Sequence, residues 1–265
     1  MRHSPREIGF RSPAGTVDAV LAVVVIVPSA PLLVPELAGP DAADTDAVRA
    51  AVHAATERSG RRARRWLAIG AADVGGQAID PGGYRRTGDF GAYGVPVPVS
   101  LGAGDAGRTP LPLSMLIAGW VNGLTEPLSD VTPIVVDPTA TPEQCRAVGE
   151  TLAADIADTA EPVGVLVVAD GANALTASAP GGGERVTAVA LQERIDAALA
   201  HADVPALRAL TAEECTADGA GGRPAWQVLA GLCDGTDLTS TVDYAGAPFG
   251  VGYTVAVWTP TGAGA

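Results

Sequence analysis

The sequence predicts an α/β protein, a single domain built on a mostly parallel or mixed central sheet with helices on both faces. Two observations carry that expectation. Short uncharged runs rich in β-branched residues recur along the chain, and between them lie stretches whose apolar residues return at helical spacing. The runs are also apolar at consecutive rather than alternate positions, as in strands covered on both sides.

The first such run is Ala19 to Val27, which exits into Pro28-Ser29-Ala30-Pro31-Leu32-Leu33-Val34-Pro35. The prolines around Ser29 and Ala30 fix the backbone at the strand's carboxyl end. Asp41 to Arg58 reads as a helix, with Val48, Val52 and Ala55 on one side. The basic run Arg61 to Arg65 closes it, either as a solvated patch at a helix C-terminus or as an anion site. Trp66 to Gly70 is a second strand and Ala71-Ala72-Asp73-Val74-Gly75-Gly76 its exit loop. The Gly-rich stretch from Pro81 to Gly91 has no Gly-Lys-Ser/Thr ending, so it is not a phosphate-binding P-loop. Val95 to Leu101 alternates as a third strand, but Pro96 and Pro98 make it short or an edge.

Pro110 to Leu124 reads as a helix, and Val131 to Val136 as a strand. Thr141-Pro142-Glu143-Gln144 carries an N-cap, an N1 proline and a first-turn acid, and starts a helix running to about Asp158. Val163 to Val168 is a strand buried on both faces, ending in Asp170-Gly171 with Asn173 and Thr176 just beyond. Helices follow over Arg185 to His201, Pro205 to Leu210 and Arg223 to Leu232. The chain closes with strands at Ser240 to Tyr244 and Gly250 to Trp258. In open α/β sheets ligands bind outside the carboxyl ends of the strands, so the turn after residue 168 is the expected wall of a site.

Composition narrows the function. The 265 residues are 47% hydrophobic with a net charge of −13, which argues against nucleic acid and against an anionic membrane surface as partners. No run reaches the length of a membrane-spanning helix. All 17 basic residues are Arg, which excludes Schiff-base chemistry on a lysine. The three cysteines, Cys145, Cys215 and Cys233, are widely spaced, so a disulfide framework and a structural zinc are not expected and a cytoplasmic setting is. Residues 1–18 read as a disordered leader, although Arg2, Arg6 and Arg11 before an apolar run faintly resemble a signal peptide. Residues 19–259 form the domain and 260–265 a flexible tail.

Three segments together resemble the LigB-like family, the subunit-B-like fold of class III extradiol ring-cleavage dioxygenases, and its relatives near the Memo proteins. They are Val25-Ile26-Val27-Pro28-Ser29-Ala30-Pro31-Leu32-Leu33-Val34-Pro35, Ala169-Asp170-Gly171-Ala172-Asn173-Ala174-Leu175-Thr176 through Gly182, and Tyr244-Ala245-Gly246-Ala247-Pro248-Phe249-Gly250-Val251-Gly252-Tyr253. Thr87-Gly88-Asp89-Phe90 and Gly94-Val95-Pro96 fit more loosely. The resemblance spans roughly residues 19 to 258. It implies a mixed sheet between two helical layers and, in active members, one non-haem Fe(II) held by two His and one Glu, with a further His as acid/base.

This chain departs from that pattern at each chemical position. Ser29 stands where the first ligand His is expected, and Ala71, Ala72 and Asp73 occupy the loop of the second. Asn173 replaces the acid/base His. The family Glu falls near Ala220, with Asp218 the nearest carboxylate. The three histidines, His3, His53 and His201, lie in the leader and in two helices. Fe(II) favours imidazole, and an amide does not shuttle protons near neutral pH.

The expectation is therefore a family member without the Fe(II) centre, with no cofactor and with a cleft for a small molecule or a partner. Ser29, Asp73, Asp170, Asn173 and Thr176 are its candidate ligand-binding residues. If the first four converged, their oxygens would suit Mg²⁺ or Ca²⁺. Two other readings stay open: an extradiol dioxygenase or other enzyme with an atypical oxygen-ligand site, and a structural or interaction protein. Asp170 serves equally as a ligand contact or as a turn residue, Asn173 and Thr176 also suit local turns, and a homo-oligomer is compatible with the chain. No GxSxG nucleophile elbow occurs.

Overall fold

Strand β1 (Leu21–Val27) is buried at every position, as its unbroken apolar sequence requires. It lies near the middle of a six-stranded sheet of order β5-β2-β6-β1-β8-β7 in a computed structural model that describes residues 21–39, 43–75, 81–104, 107–124 and 129–261. The other strands of this sheet are β2 (Arg65–Ala71), β5 (Asp130–Val136), β6 (Val163–Val168), β7 (Leu238–Gly246) and β8 (Tyr253–Pro260). β1, β2, β5 and β6 run parallel, while β8 is antiparallel to both β1 and β7. The sheet is therefore mixed, and the antiparallel pair closes one side.

Side chains of a strand alternate between faces, and here the two sets enter two separate cores. Val24 and Ile26 of β1, Val165 and Val167 of β6, and Ala256 and Trp258 of β8 pack under α4 (Pro142–Ala157), α5 (Val186–His201), α6 (Val204–Arg208), α7 (Ala212–Ala217) and α8 (Arg223–Leu232). Val23, Val25 and Val27, Leu166 and Val168, and Val255 and Val257 pack under α2 (Ala43–Ser59) and α3 (Leu113–Asn122). The helix α1 (Pro35–Ala38) is a single turn in the loop after β1.

Local chemistry accounts for several boundaries. Thr141 and Gln144 form a reciprocal capping box at the start of α4 with Pro142 in the first turn. Pro133 sits in β5, where an edge position spares the missing N–H. The indole of Trp258 donates to Leu199 O at 2.8 Å and ties β8 to α5.

Some expectations need correction. The third strand is confined to β4 (Pro98–Ser100). It pairs with β3 (Thr87–Asp89), which the glycine-rich sequence disguised as loop, in a separate two-stranded ribbon. The helix α7 was not anticipated. It has its own capping box, Thr211 with Glu214. Arg86 braces the β3–β4 ribbon. It bonds the carbonyls of Val131 and Leu101 and pairs with Asp130. Pro260 ends β8, and Thr261 N donates to Asp237 O at 2.9 Å, so the tail is anchored that far. Residues 1–20 and 262–265, with the leader and the rest of the tail, lie outside the described residues.

Helices α4 and α8 approach closely because Gly149 meets Gly231. A Cβ on Gly149 would overlap Val228 O and lie 2.6 Å from Leu232 N. Gly149→Ala is therefore expected to lower stability by about 1–3 kcal/mol through overpacking. Urea unfolding measures this, and an unchanged midpoint contradicts the close approach.

Candidate functional site

The carboxyl ends of β1, β6 and β2 lie side by side. Val27 pairs with Val168 and Gly70 with Val168 on the other side. The next backbone bond, Ala169 N to Val27 O at 2.9 Å, carries β1 and β6 one step further. Beyond it, Ser29 N donates to Asp170 Oδ1 at 2.7 Å. Asp170 continues the alternation of Leu166 and Val168, and Tyr253 that of Val255 and Val257, so both lie on the α2/α3 side. Ser29 joins them through its bond to Asp170, and Tyr253 senses the Asp170 charge. The rim formed by Ser29, Asp170 and Tyr253 is the candidate site.

The turn behind it is held by one side chain. Gln192 of α5, 7% exposed, enters a slot between Gly171 and Gly252, where a Cβ on either glycine would overlap its Oε1. Its Oε1 accepts from Ala172 N at 2.9 Å, and its Nε2 donates to Asp196 Oδ1 at 2.9 Å. Thr254 of β8 donates to the same Asp196 oxygen at 2.7 Å. Two backbone bonds zip the turn to the segment before β8, Gly171 N to Gly252 O at 2.7 Å and Gly252 N to Ala172 O at 2.8 Å. Gly222, at the start of α8, donates to Asp170 O at 2.9 Å. The Asp170 backbone is thus fixed from two sides.

Its carboxyl is not neutralised. Burial pushes the Asp170 pKa up to about 7, and the one hydrogen bond from Ser29 N opposes this only in part. The residue keeps partial contact with solvent, so the group is desolvated yet reachable. Tyr253, 6% exposed, has its phenol pKa raised by burial and then by the nearby Asp170 and Tyr244. Burial also raises Asp196, against the bonds from Thr254 and Gln192.

The other sequence candidates do not join this rim through any described contact. Asp73 is exposed, and its Oδ1 accepts from Gly75 N at 2.8 Å, an Asx turn. The Asn173 amide fills a space between Gly181 and Gly219, where a Cβ at either position would overlap its Oδ1. Its backbone bonds Asp218 O and Gly181 N. Thr176 packs its hydroxyl against Gly250, and its carbonyl accepts from Ala179 N. Asp218 is 5% exposed and accepts from Arg185 Nε and Thr187 Oγ1, each at 3.0 Å. The four-oxygen convergence that would suit Mg²⁺ or Ca²⁺ is therefore not formed by these contacts. Nor do the residues at the ligand positions that the LigB resemblance implies fit Fe(II), since they offer a hydroxyl, a turn-closing carboxylate and a wedged amide. His53 packs edge-on against Trp120, and His201 Nδ1 lies 2.9 Å from Ala197 O. Among the described residues no group of three or more His, Cys, Asp and Glu is placed to hold a metal ion.

Tyr253 and Gln192 were missed by sequence reasoning. The alternation of Tyr253 with Val255 and Val257 could have placed the tyrosine on the α2/α3 face. Nothing local marks Gln192, whose partners are 20 and 4 residues away. Two surface clefts are lined by other residues. One, about 520 Å³, runs between Thr87, Pro98 and Trp120. The other, about 190 Å³, lies beside Pro142 and Arg208.

Fold and site together define an α/β protein with a mixed six-stranded sheet and a polar rim at the carboxyl ends of its central strands. Among solved structures it is similar to uncharacterized protein JW3007 from Escherichia coli K12, with 13% identity, 90% of this chain and 99% of that chain covered, and a TM-score of 0.51. At that identity the likeness shows the fold alone. No family model and no curated protein matches the chain. No described helix is long and apolar enough to cross a membrane.

Two outcomes follow from this geometry. Gln192→Leu leaves Ala172 N–H without its acceptor, so it is expected to cost about 1–3 kcal/mol and to speed amide exchange at Ala172. Unaltered exchange there would refute the clamp. An acid whose pKa is higher folded than unfolded binds more protons when folded. Its contribution to stability is full below about pH 4 and is lost as pH rises through about 7. The stability difference between Asp170→Asn and the parent should grow in the variant's favour over that window. A flat difference refutes the desolvated acid.

Proposed function

We propose that this chain is a LigB-like protein of the class III extradiol dioxygenase superfamily that lacks the Fe(II) centre and ring-cleavage activity and keeps a strand-end site for a small molecule. The observation that carries this reading is the Ser29–Asp170–Tyr253 rim. A reachable carboxyl with a single hydrogen bond stands where α/β folds receive ligands. Support for the lost iron chemistry comes from the donors at the family's ligand positions, because Ser29, Asp73 and Asn173 supply no imidazole and Asp73 and Asn173 have structural duties of their own.

The test is anaerobic reconstitution with Fe(II), measurement of bound metal, and an assay of catechols for oxygen-dependent ring cleavage. The expected result is neither stoichiometric iron nor turnover. Stoichiometric iron with turnover establishes the dioxygenase alternative instead.

A further inference from the structure

Each titratable group whose field couples to the rim is an acid or a phenol. Asp170 acts on Tyr253, Tyr244 of β7 acts on Tyr253, and Asp44 at the start of α2 acts on Tyr244. The arginines on the surrounding elements are directed elsewhere. Arg49 of α2 bonds the carbonyls of Leu32 and Leu33 and pairs with Asp46. Arg223 of α8, 3% exposed, bonds Pro138 O, Ala140 O and Gln227 Oε1. Arg185 pairs with Asp218 and bonds Gly181 O and Ala217 O. The phenols, raised by burial, stay neutral near pH 7, so the rim's charge is that of its carboxylates, with no described cation paired to it.

It also carries acceptors without donors. Asp170 Oδ1 holds Ser29 N–H, and its second oxygen has no partner among the described residues. The Tyr253 hydroxyl, on a side chain more than nine-tenths buried, has none either, nor does Ser29 Oγ. A desolvated carboxylate without a counter-charge is unfavourable, and an ammonium group offers one positive charge and three N–H donors. We propose that the rim binds a small organic ammonium, its donors shared among the second carboxylate oxygen of Asp170, the Tyr253 hydroxyl and Ser29 Oγ. The inference rests on the reading of this rim as a ligand site and names the ligand class. Neutral alcohols bring no charge, and carboxylates and phosphates are repelled.

The experiment titrates the full chain with methylammonium, benzylammonium, benzyl alcohol and benzoate, following the Ser29 and Asp170 amide resonances and the heat of binding. At least one ammonium should shift both amides, while the alcohol and benzoate leave them in place. Binding requires the ionised carboxylate, so affinity should rise about tenfold from pH 6 to pH 8 for a group titrating near 7, with a proton released on binding. Asp170→Asn should abolish that rise and weaken binding at least tenfold, and Tyr253→Phe should weaken it while preserving the pH dependence. Asp170→Asn is near-isosteric and removes an unfavourable charge, so its fold is expected to persist, and its spectrum checks this. If the alcohol or benzoate binds at these amides as well as the ammonium does, the cation assignment fails and the ligand site stands. If ammonium binding is unchanged in Asp170→Asn, the assignment also fails. If no probe moves the two amides, the ammonium proposal is overturned, while the reading without iron is still decided by the metal and catechol assay.

Discussion

The geometry of the site depends on Gln192 occupying the glycine slot between Gly171 and Gly252. An amide is the side chain suited to that place, because it must accept from Ala172 N and donate to Asp196 at once. Asp196 in turn takes a hydroxyl from Thr254, so one hydrogen-bonded chain links the turn after β6, helix α5 and strand β8. Both glycines are required by the close approach, since any Cβ would expel the amide. With the turn clamped from the α5 side, Asp170 projects to the opposite face of the sheet, beside Ser29 and Tyr253. A network buried on one face thereby sets the position of a carboxyl on the other.

That carboxyl is a local conflict inside an otherwise consistent fold. The strands on either side are apolar and two-sided, and around the turn Gln192 is paired with Asp196 and Asp218 with Arg185. Asp170 alone combines desolvation with a single backbone donor. Natural sequences tolerate such conflicts chiefly where function requires them. The alternative, a turn-closing aspartate, predicts a carboxylate bonded to the N–H groups of its own turn, as Asp73 is to Gly75. Asp170 instead bonds Ser29, 141 residues away, and leaves one oxygen open. Turn formation does not call for that arrangement.

The layered α/β architecture was legible because its signals are local. Unbroken apolar runs marked β1, β2, β5 and β6, and Thr141-Pro142-Glu143-Gln144 marked the start of α4. The ribbon of β3 and β4 was only half visible, since Thr87-Gly88-Asp89 has the composition of a loop and becomes a strand by pairing with Pro98 to Ser100. The site was legible in part. Their places after strand carboxyl ends singled out Ser29 and Asp170, and the fold joins the two by one hydrogen bond. Asp73 and Asn173 looked equivalent to them because ligand contacts and Asx turns draw on the same residue types, and only the fold shows which oxygens are engaged. The alternation of Tyr253 with Val255 and Val257 gives its face, but its nearness to Asp170 appears only once β8 is placed in the sheet.

Charge decides what the rim can do. With the nearby arginines bound to carbonyls and carboxylates, Asp170 is its dominant charge, and the Tyr253 phenol beside it is kept protonated by burial and by that charge. Desolvation holds it near the midpoint of its titration at neutral pH. The rim therefore alternates between a neutral acid that can donate a proton and an anion that requires a cation, and small changes in pH or ligand charge select between them.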